Sequence, residues 1–159
     1  MTRKFPLLFG FHEVVLCNGF VAGVTVQAGR ALVEEEAPGE WWVSGVNPGA
    51  LADGGKSFSE AIQNFCGRFR KVLADYASDA NEIRDFKASL ESFFNSSDPE
   101  TLAEWDEARA EMRKGGQTIN DLVKDAKPKK PTIIVKQLNI VPKDNLRANS
   151  NAGMTSLAA

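Results

Sequence analysis

The chain has 159 residues, of which 43% are hydrophobic and 25% charged, so it is long enough for one globular domain with a hydrophobic core. Its net charge of −2 gives no overall electrostatic reason to expect nucleic-acid or membrane binding. No stretch approaches the roughly 20 apolar residues of a membrane-spanning helix, and two cysteines with one histidine exclude a tetrahedral zinc site. We expect free thiols, no cofactor and a cytoplasmic location.

The first third of the chain predicts β-strands joined by turns. Apolar runs flank Asn18-Gly19, which is a strong hairpin signal of the type I′ turn, and a second pair of runs flanks Pro38-Gly39. The predicted strands are residues 11–17, 20–27, 31–36, 41–46 and, as a short element, 50–53. They form an antiparallel meander of three to five strands.

A long amphipathic helix follows the meander. Ser57 and Glu60 have the spacing of a capping box at a helix start. Apolar residues then recur at helical spacing for five turns, from Phe58 to Tyr76. Because the sheet and the helix each have one apolar face, we expect the helix to cover one face of the sheet.

Two more helices and a late strand are predicted after residue 78. Asp79 and Glu82 resemble a capping box for one helix, and Asp98-Pro99 begins the other, which Gly115-Gly116 ends. A further helical turn is predicted at 118–124, and a strand at 132–141. The predicted organisation of this α+β protein is a meander-plus-helix core at 1–78, a helical extension at 79–126, a linker and strand at 127–142, and a disordered tail at 143–159.

Few residues have the pattern of a catalytic or ligand-binding site. His12 lies in a strand without the partners of a catalytic triad, which favours a structural or surface histidine. Only Glu34 and Glu36 of the acidic run share a face of their strand, which favours a solvated strand end over a metal site. Gly54-Gly55 lacks the spacing of a phosphate-binding loop. We therefore expect no catalytic, cofactor or metal residues.

A family resemblance is carried by residues 30–73. A strand (ALVEEEA) leads through Pro38-Gly39 to a second strand (WWVSGV), then to NPGALADGG and the helix start GKSFSEAIQNF. This order resembles the HicB-like antitoxin domain, whose pattern is similar at Gly55, Ser57, Glu60, Ala61 and Asn64. Lys56 stands where the family commonly has Asp. The resemblance implies a partial ribonuclease H-like fold without the catalytic carboxylates.

The function implied by the resemblance is neutralisation of a HicA-like toxin, a small basic enzyme that cleaves messenger RNA, by occlusion of its active site. The residues predicted to contact partners are Glu34, Glu36, Trp41, Trp42, Lys129, Lys130 and Lys136. Contact with nucleic acid is a further possibility for two basic regions, the segment after Lys124 and the lysine-flanked strand at 132–141. The helix at 98–114 is acidic and would repel phosphate, so it is not expected to bind nucleic acid.

Two alternative functions remain open. The first is a structural or assembly protein of a phage or mobile element that forms homo-oligomers by exchanging its late strand. The second is an enzyme whose site would have to include His12 or the pair Glu34 and Glu36.

Overall fold

The computed structural model describes residues 2–115, 130–138 and 157–158 and confirms the predicted α+β class. A four-stranded antiparallel meander precedes three helices, and two shorter strands follow them. The strands are β1 (Arg3–Leu16), β2 (Val21–Ala37), β3 (Glu40–Asn47), β4 (Ala52–Gly55), β5 (Thr132–Gln137) and β6 (Leu157–Ala158). The helices are α1 (Phe58–Asp79), α2 (Ile83–Asn95) and α3 (Pro99–Gly115).

The central strand of the sheet is β2. The order is β4-β3-β2-β1-β6, and β5 also pairs with β2. Along the side of β2 that faces away from β1, β3 pairs with the second half of the strand and β5 with Ala22–Gln27. The late strand therefore pairs within its own chain.

The predicted break between strands 20–27 and 31–36 is wrong, because β2 runs through it as one strand. A bulge keeps the ladder continuous: Ala28 adopts a positive φ of 54°, and the register against β1 shifts between Phe9 and Phe11. Gly29 is needed here because a Cβ at this position would lie 2.7 Å from Cζ of Phe9. A glycine that indicates a turn in the sequence thus marks a bulge.

The first hairpin is confirmed, but its predicted type I′ turn is wrong. β1 and β2 are joined by Cys17–Phe20, closed by a 2.9 Å hydrogen bond from the Cys17 N–H to the Phe20 carbonyl. Only Gly19 of these connecting residues has a positive φ, whereas a type I′ turn requires it at both central residues.

Both faces of the sheet carry helices. The predicted apolar face of α1 packs on one of them, and Ala61, Phe65, Cys66, Phe69 and Leu73 are all buried. The buried residues of α2, among them Phe86, join the same core. On the opposite face α3 places Trp105 and Ala108 against Leu32 of β2 and Val46 of β3.

The helix starts follow the predicted caps in two of three cases. The Ser57 hydroxyl accepts from the Glu60 N–H at 3.1 Å, and the Glu60 carboxylate accepts from the Lys56 N–H at 3.0 Å. Asp98 caps α3 by accepting from the N–H and the hydroxyl of Thr101 at 3.0 and 2.9 Å. The capping box predicted at Asp79 is wrong, because α1 continues through that residue and α2 begins after Glu82.

A buried polar network joins the two sheet faces at the end of β3. The side-chain oxygen Oδ1 of Asn47 accepts from Nε and Nη2 of Arg30 at 2.9 and 2.6 Å. Its amide nitrogen donates to the Phe94 carbonyl at 3.1 Å and to the Ser97 hydroxyl at 3.3 Å. Ser97 in turn donates to the Val46 carbonyl at 2.6 Å. One side chain therefore links β2, β3 and the loop between α2 and α3.

Several predictions fall on residues outside the described ranges. These are the helical turn at 118–124, residues 139–141 of the late strand, most of the charged linker, and most of the tail at 143–159. Two tail residues, Leu157 and Ala158, pair with His12 and Phe11 of β1 as β6.

Candidate functional site

Two adjacent tryptophans on β3 point to opposite faces of the sheet, as successive strand residues do. Trp41 is half-buried, stacked on Phe5 at 6.5 Å between ring centroids and edge-on to Phe58 at 5.8 Å. Trp42 is 43% exposed, which is unusual for a side chain of its size. Trp41 thus anchors β3 to the core, whereas Trp42 presents an indole to solvent.

The exposed indole lies in a shallow depression of about 450 Å³ at the edge of the sheet. It is lined by the β2–β3 turn and by β4, and acidic side chains alternate there with aromatic rings and glycines. We name Glu36, Glu40, Trp42 and Asp53 the acidic–aromatic patch.

Glycines give the depression its shape. A Cβ on Gly54 would lie 2.9 Å from the backbone oxygen of Trp41 and 3.1 Å from the Trp42 ring, so glycine permits the close approach of β3 and the indole to β4. A Cβ on Gly55 would lie 2.6 Å from the backbone nitrogen of Ala61, so glycine permits the close approach of β4 to the start of α1. Asn64 completes this junction by donating to the Gly54 carbonyl at 2.8 Å. Gly55, Ala61 and Asn64 are among the positions on which the predicted family resemblance rests.

The carboxylates around the patch differ in how far the protein itself neutralises them. Glu34 lies 3.5 Å from the Lys4 ammonium, which also bonds Glu104 of α3 at 2.6 Å, and Glu35 pairs with Arg3. In the described part of the chain, Glu36 and Glu40 form no ion pair. These two exposed carboxylates beside Trp42 therefore retain their negative charge for a partner.

Asp53 is the third acidic group of the patch, and its charge is partly compensated. Its carboxylate accepts from the Gly54 N–H at 2.8 Å and pairs with Arg68 of α1 at 3.0 Å. Partial burial works against ionisation, but these two partners outweigh it and lower the pKa of Asp53. The carboxylate is therefore charged at neutral pH and held in place by α1.

The structure divides the predicted contact residues into separate groups. Glu36, Trp41 and Trp42 line the depression, and Glu34 lies opposite Trp42 on the neighbouring strand. Lys136 is exposed on β5 opposite Gly23, so it lies roughly 40 Å along β2 from Glu36 at 3.3 Å per residue. Lys130 is exposed just before β5, and Lys129 lies outside the described residues.

The sequence interpretation missed Glu40 and Asp53, which complete the patch. A signal existed for Glu40, which directly follows the Pro38-Gly39 turn that ends the acidic run. Asp53 could be placed only through the pairing of β4 with β3, where it lies opposite Val43.

The other candidates of the sequence have ordinary surroundings. Nδ1 of the exposed His12 lies 2.9 Å from the Thr25 hydroxyl on the neighbouring strand. Within the described ranges no group of three or more His, Cys, Asp or Glu side chains could hold a metal ion. Cys17 and Cys66 are free thiols, and burial raises the pKa of each. Among the helices described, none is long and apolar enough to cross a membrane.

Comparison with known proteins identifies no relative: no family model, curated protein or solved structure matches the chain. The geometry of the described residues is therefore the basis for any proposal about function.

Proposed function

We propose that this chain is a binding protein that neutralises a small, basic, messenger-RNA-cleaving toxin, in the manner of a HicB-like antitoxin. The observation that carries the proposal is the exposed Trp42 beside two carboxylates, Glu36 and Glu40, in a shallow surface depression. The resemblance over residues 30–73 supports it, because the family's glycine and cap positions form the junction beneath this depression.

The chemistry of the acidic–aromatic patch suits a cationic side chain. An ammonium or guanidinium group over an indole face gains a cation–π interaction, and an adjacent carboxylate adds a charge-assisted hydrogen bond. Tryptophan and arginine are the residues enriched among the dominant contacts of protein interfaces. A basic partner would thus place a lysine or arginine against Trp42, where it would cover part of its own active surface.

The proposal expects a gene for a small basic protein beside this one, and the test is co-expression of the chain with the product of that gene. We expect that protein to arrest growth and cleave messenger RNA when expressed alone, and to be silent and co-purify when the chain is present. A neighbouring product that neither arrests growth nor co-purifies with the chain would refute the proposal.

The contribution of the patch is tested separately with Trp42→Ser and with the double variant Glu36→Gln, Glu40→Gln. We expect Trp42→Ser to weaken binding at least about thirtyfold, because a dominant interface side chain contributes about 2 kcal/mol or more. The double variant should mainly slow association and reduce its salt dependence.

The matched control is Asp75→Asn with Asp79→Asn, which removes the same charge from the far end of α1. Equal loss of binding in the control would assign the effect to net charge and not to the patch.

The alternative, an assembly role in a phage or mobile element, would require β5 to leave its own chain. β5 buries Ile133 and Val135 in the core while it pairs with β2. Light scattering of the full chain over a wide concentration range tests this alternative, which predicts an oligomer. A monomer throughout would exclude it.

A further inference from the structure

A second cluster of charged and aromatic side chains lies on the other side of the sheet from α1. Trp105 of α3 is 1% exposed. The guanidinium carbons of Arg30 and Arg109 lie 5.3 and 5.5 Å from the centroid of its ring. Two cations therefore lie around one buried indole, and burial, together with the smaller effect of repulsion from Arg109, lowers the pKa of Arg30.

The two guanidinium groups differ in their hydrogen bonds. On Arg30, Nε and Nη2 both donate to the Asn47 side-chain oxygen. On Arg109 the same two atoms are buried and have no hydrogen-bond partner among the described residues, and the same is true of Nε1 of Trp105. Three buried donors with no acceptor are destabilising, since each such group costs about 1–3 kcal/mol.

The unpartnered atoms of Arg109 have a specific geometry. Nε and Nη2 form one edge of the planar group, with two parallel N–H bonds spaced to bind two oxygens of a carboxylate or phosphate. The N–H of Trp105, whose ring centroid lies 5.5 Å from the Arg109 guanidinium carbon, is a third buried donor in this cluster. This arrangement provides donors only, which is the requirement for binding an anion.

The local charge also favours an anion. Burial lowers the pKa of Arg109, and repulsion from Arg113 acts in the same direction, while Asp106 opposes both. Burial likewise lowers the pKa of Arg30. No ion pair within 4.0 Å involves Arg30 or Arg109 in the part of the chain that the structure describes, so Asp106 only partly compensates the two guanidinium groups.

We propose that Arg109 and Trp105 form a binding site for a small oxyanion, with a phosphate group or a carboxylate bound side-on by Arg109. Arg30 contributes charge and is held by Asn47. Arg109 is half-buried on the last turns of α3. The site is independent of the acidic–aromatic patch and has the opposite charge.

The experiment is a titration of the full chain followed through the indole N–H signals in ¹H–¹⁵N NMR. The chain has three tryptophans, and the Trp105 signal is assigned by its loss in Trp105→Phe. Inorganic phosphate and acetate are added separately, with chloride holding the ionic strength constant. We expect a saturable shift of the Trp105 signal with at least one of them. The anion that causes the shift shows whether the site prefers a phosphate or a carboxylate.

Two variants test the role of Arg109. Arg109→Gln should weaken the affinity for the anion at least about tenfold, because it removes a charge-assisted bidentate contact. Arg113→Gln removes the same charge from an exposed position on the same helix and should leave the affinity within about twofold of the parent chain. An unchanged Trp41 signal in each variant shows that the sheet remains folded.

Some results would overturn the proposal. They are a Trp105 shift that does not saturate with either anion, equal weakening by Arg113→Gln and Arg109→Gln, or full binding in Arg109→Gln. Each would assign the cluster to helix–sheet packing alone.

Discussion

Asn47 is the residue whose removal should destabilise this fold most clearly. It is 5% exposed and forms four hydrogen bonds with three groups: two accepted from Arg30, and one donated by its side-chain amide to each of the Phe94 carbonyl and the Ser97 hydroxyl. Asn47→Ala removes the acceptor of a half-buried guanidinium and the donor to a buried carbonyl. A hydrogen bond to a charged group contributes about 1.5–3 kcal/mol and a neutral one about 0.5–1.5 kcal/mol. We therefore expect a loss of about 3 kcal/mol.

Urea unfolding followed by tryptophan fluorescence measures this loss. With a slope of about 1–3 kcal/mol per molar urea, the unfolding midpoint should fall by about 1–3 M without a change of slope. Asn47→Asp is the informative companion, because it keeps the acceptor for Arg30 but places a carboxylate against the Phe94 carbonyl. The free energy of unfolding of the Asn47→Asp variant should also be lower than that of the parent chain.

The control is Asn95→Ala, which removes an exposed amide bonded only to the carbonyl of Glu91 in the same helix. This change should alter the free energy of unfolding by no more than about 0.5 kcal/mol. If Asn47→Ala destabilised the chain as little as the control, the reasoning that links β2, β3 and the α2–α3 loop through one side chain would be refuted.

Three further predictions concern the junction between β4 and α1. Ser57→Ala should lower the free energy of unfolding by about 1 kcal/mol in urea titration, since it removes the cap of α1; no change would mean that the cap is not formed. Gly55→Val should reduce the thermal midpoint strongly, because its side chain would meet the backbone at Ala61, whereas an unchanged midpoint would contradict the close approach. The pKa of Asp53 is lowered on folding, so its contribution is present above the unfolded value of about 3.9 and is lost as the pH falls through the folded pKa. Arg68→Gln should therefore reduce stability at neutral pH and have little effect in strong acid, and an equal loss at both would contradict the pairing.

Local signals in the sequence predicted much of this fold. The capping box at Ser57 and Glu60 and the apolar spacing that follows fixed the start and buried face of α1, because both depend on neighbours within one helical turn. Asp98 before Pro99 predicted α3 for the same reason. The pattern failed where distant residues decide the structure. The predicted break between residues 27 and 31 is instead a bulge in a continuous strand, which the pairing of β2 with β1 determines.

The candidate sites were predictable only in part. Adjacent tryptophans after an acidic turn indicated an unusual surface, but strand pairing was needed to bring Asp53, which lies opposite Val43, to the same depression. The cluster of Arg30, Trp105 and Arg109 has no signal in the sequence, because its members lie on two elements far apart in the chain. Only the packing of α3 on the sheet brings them together.

The end-to-end placement of β3 and β5 along one side of β2 has a consequence for how the molecule is made. During synthesis β3 can pair with β2 once residues 40–47 have been made. The edge of β2 at Ala22–Gln27 remains unpaired until Thr132–Gln137 has also been made. During that interval a growing chain carries an open strand edge, which other chains can join. Pairing of β5 with β2 covers that edge once β5 has left the ribosome. A chain truncated before residue 132 should therefore aggregate more readily than the full chain.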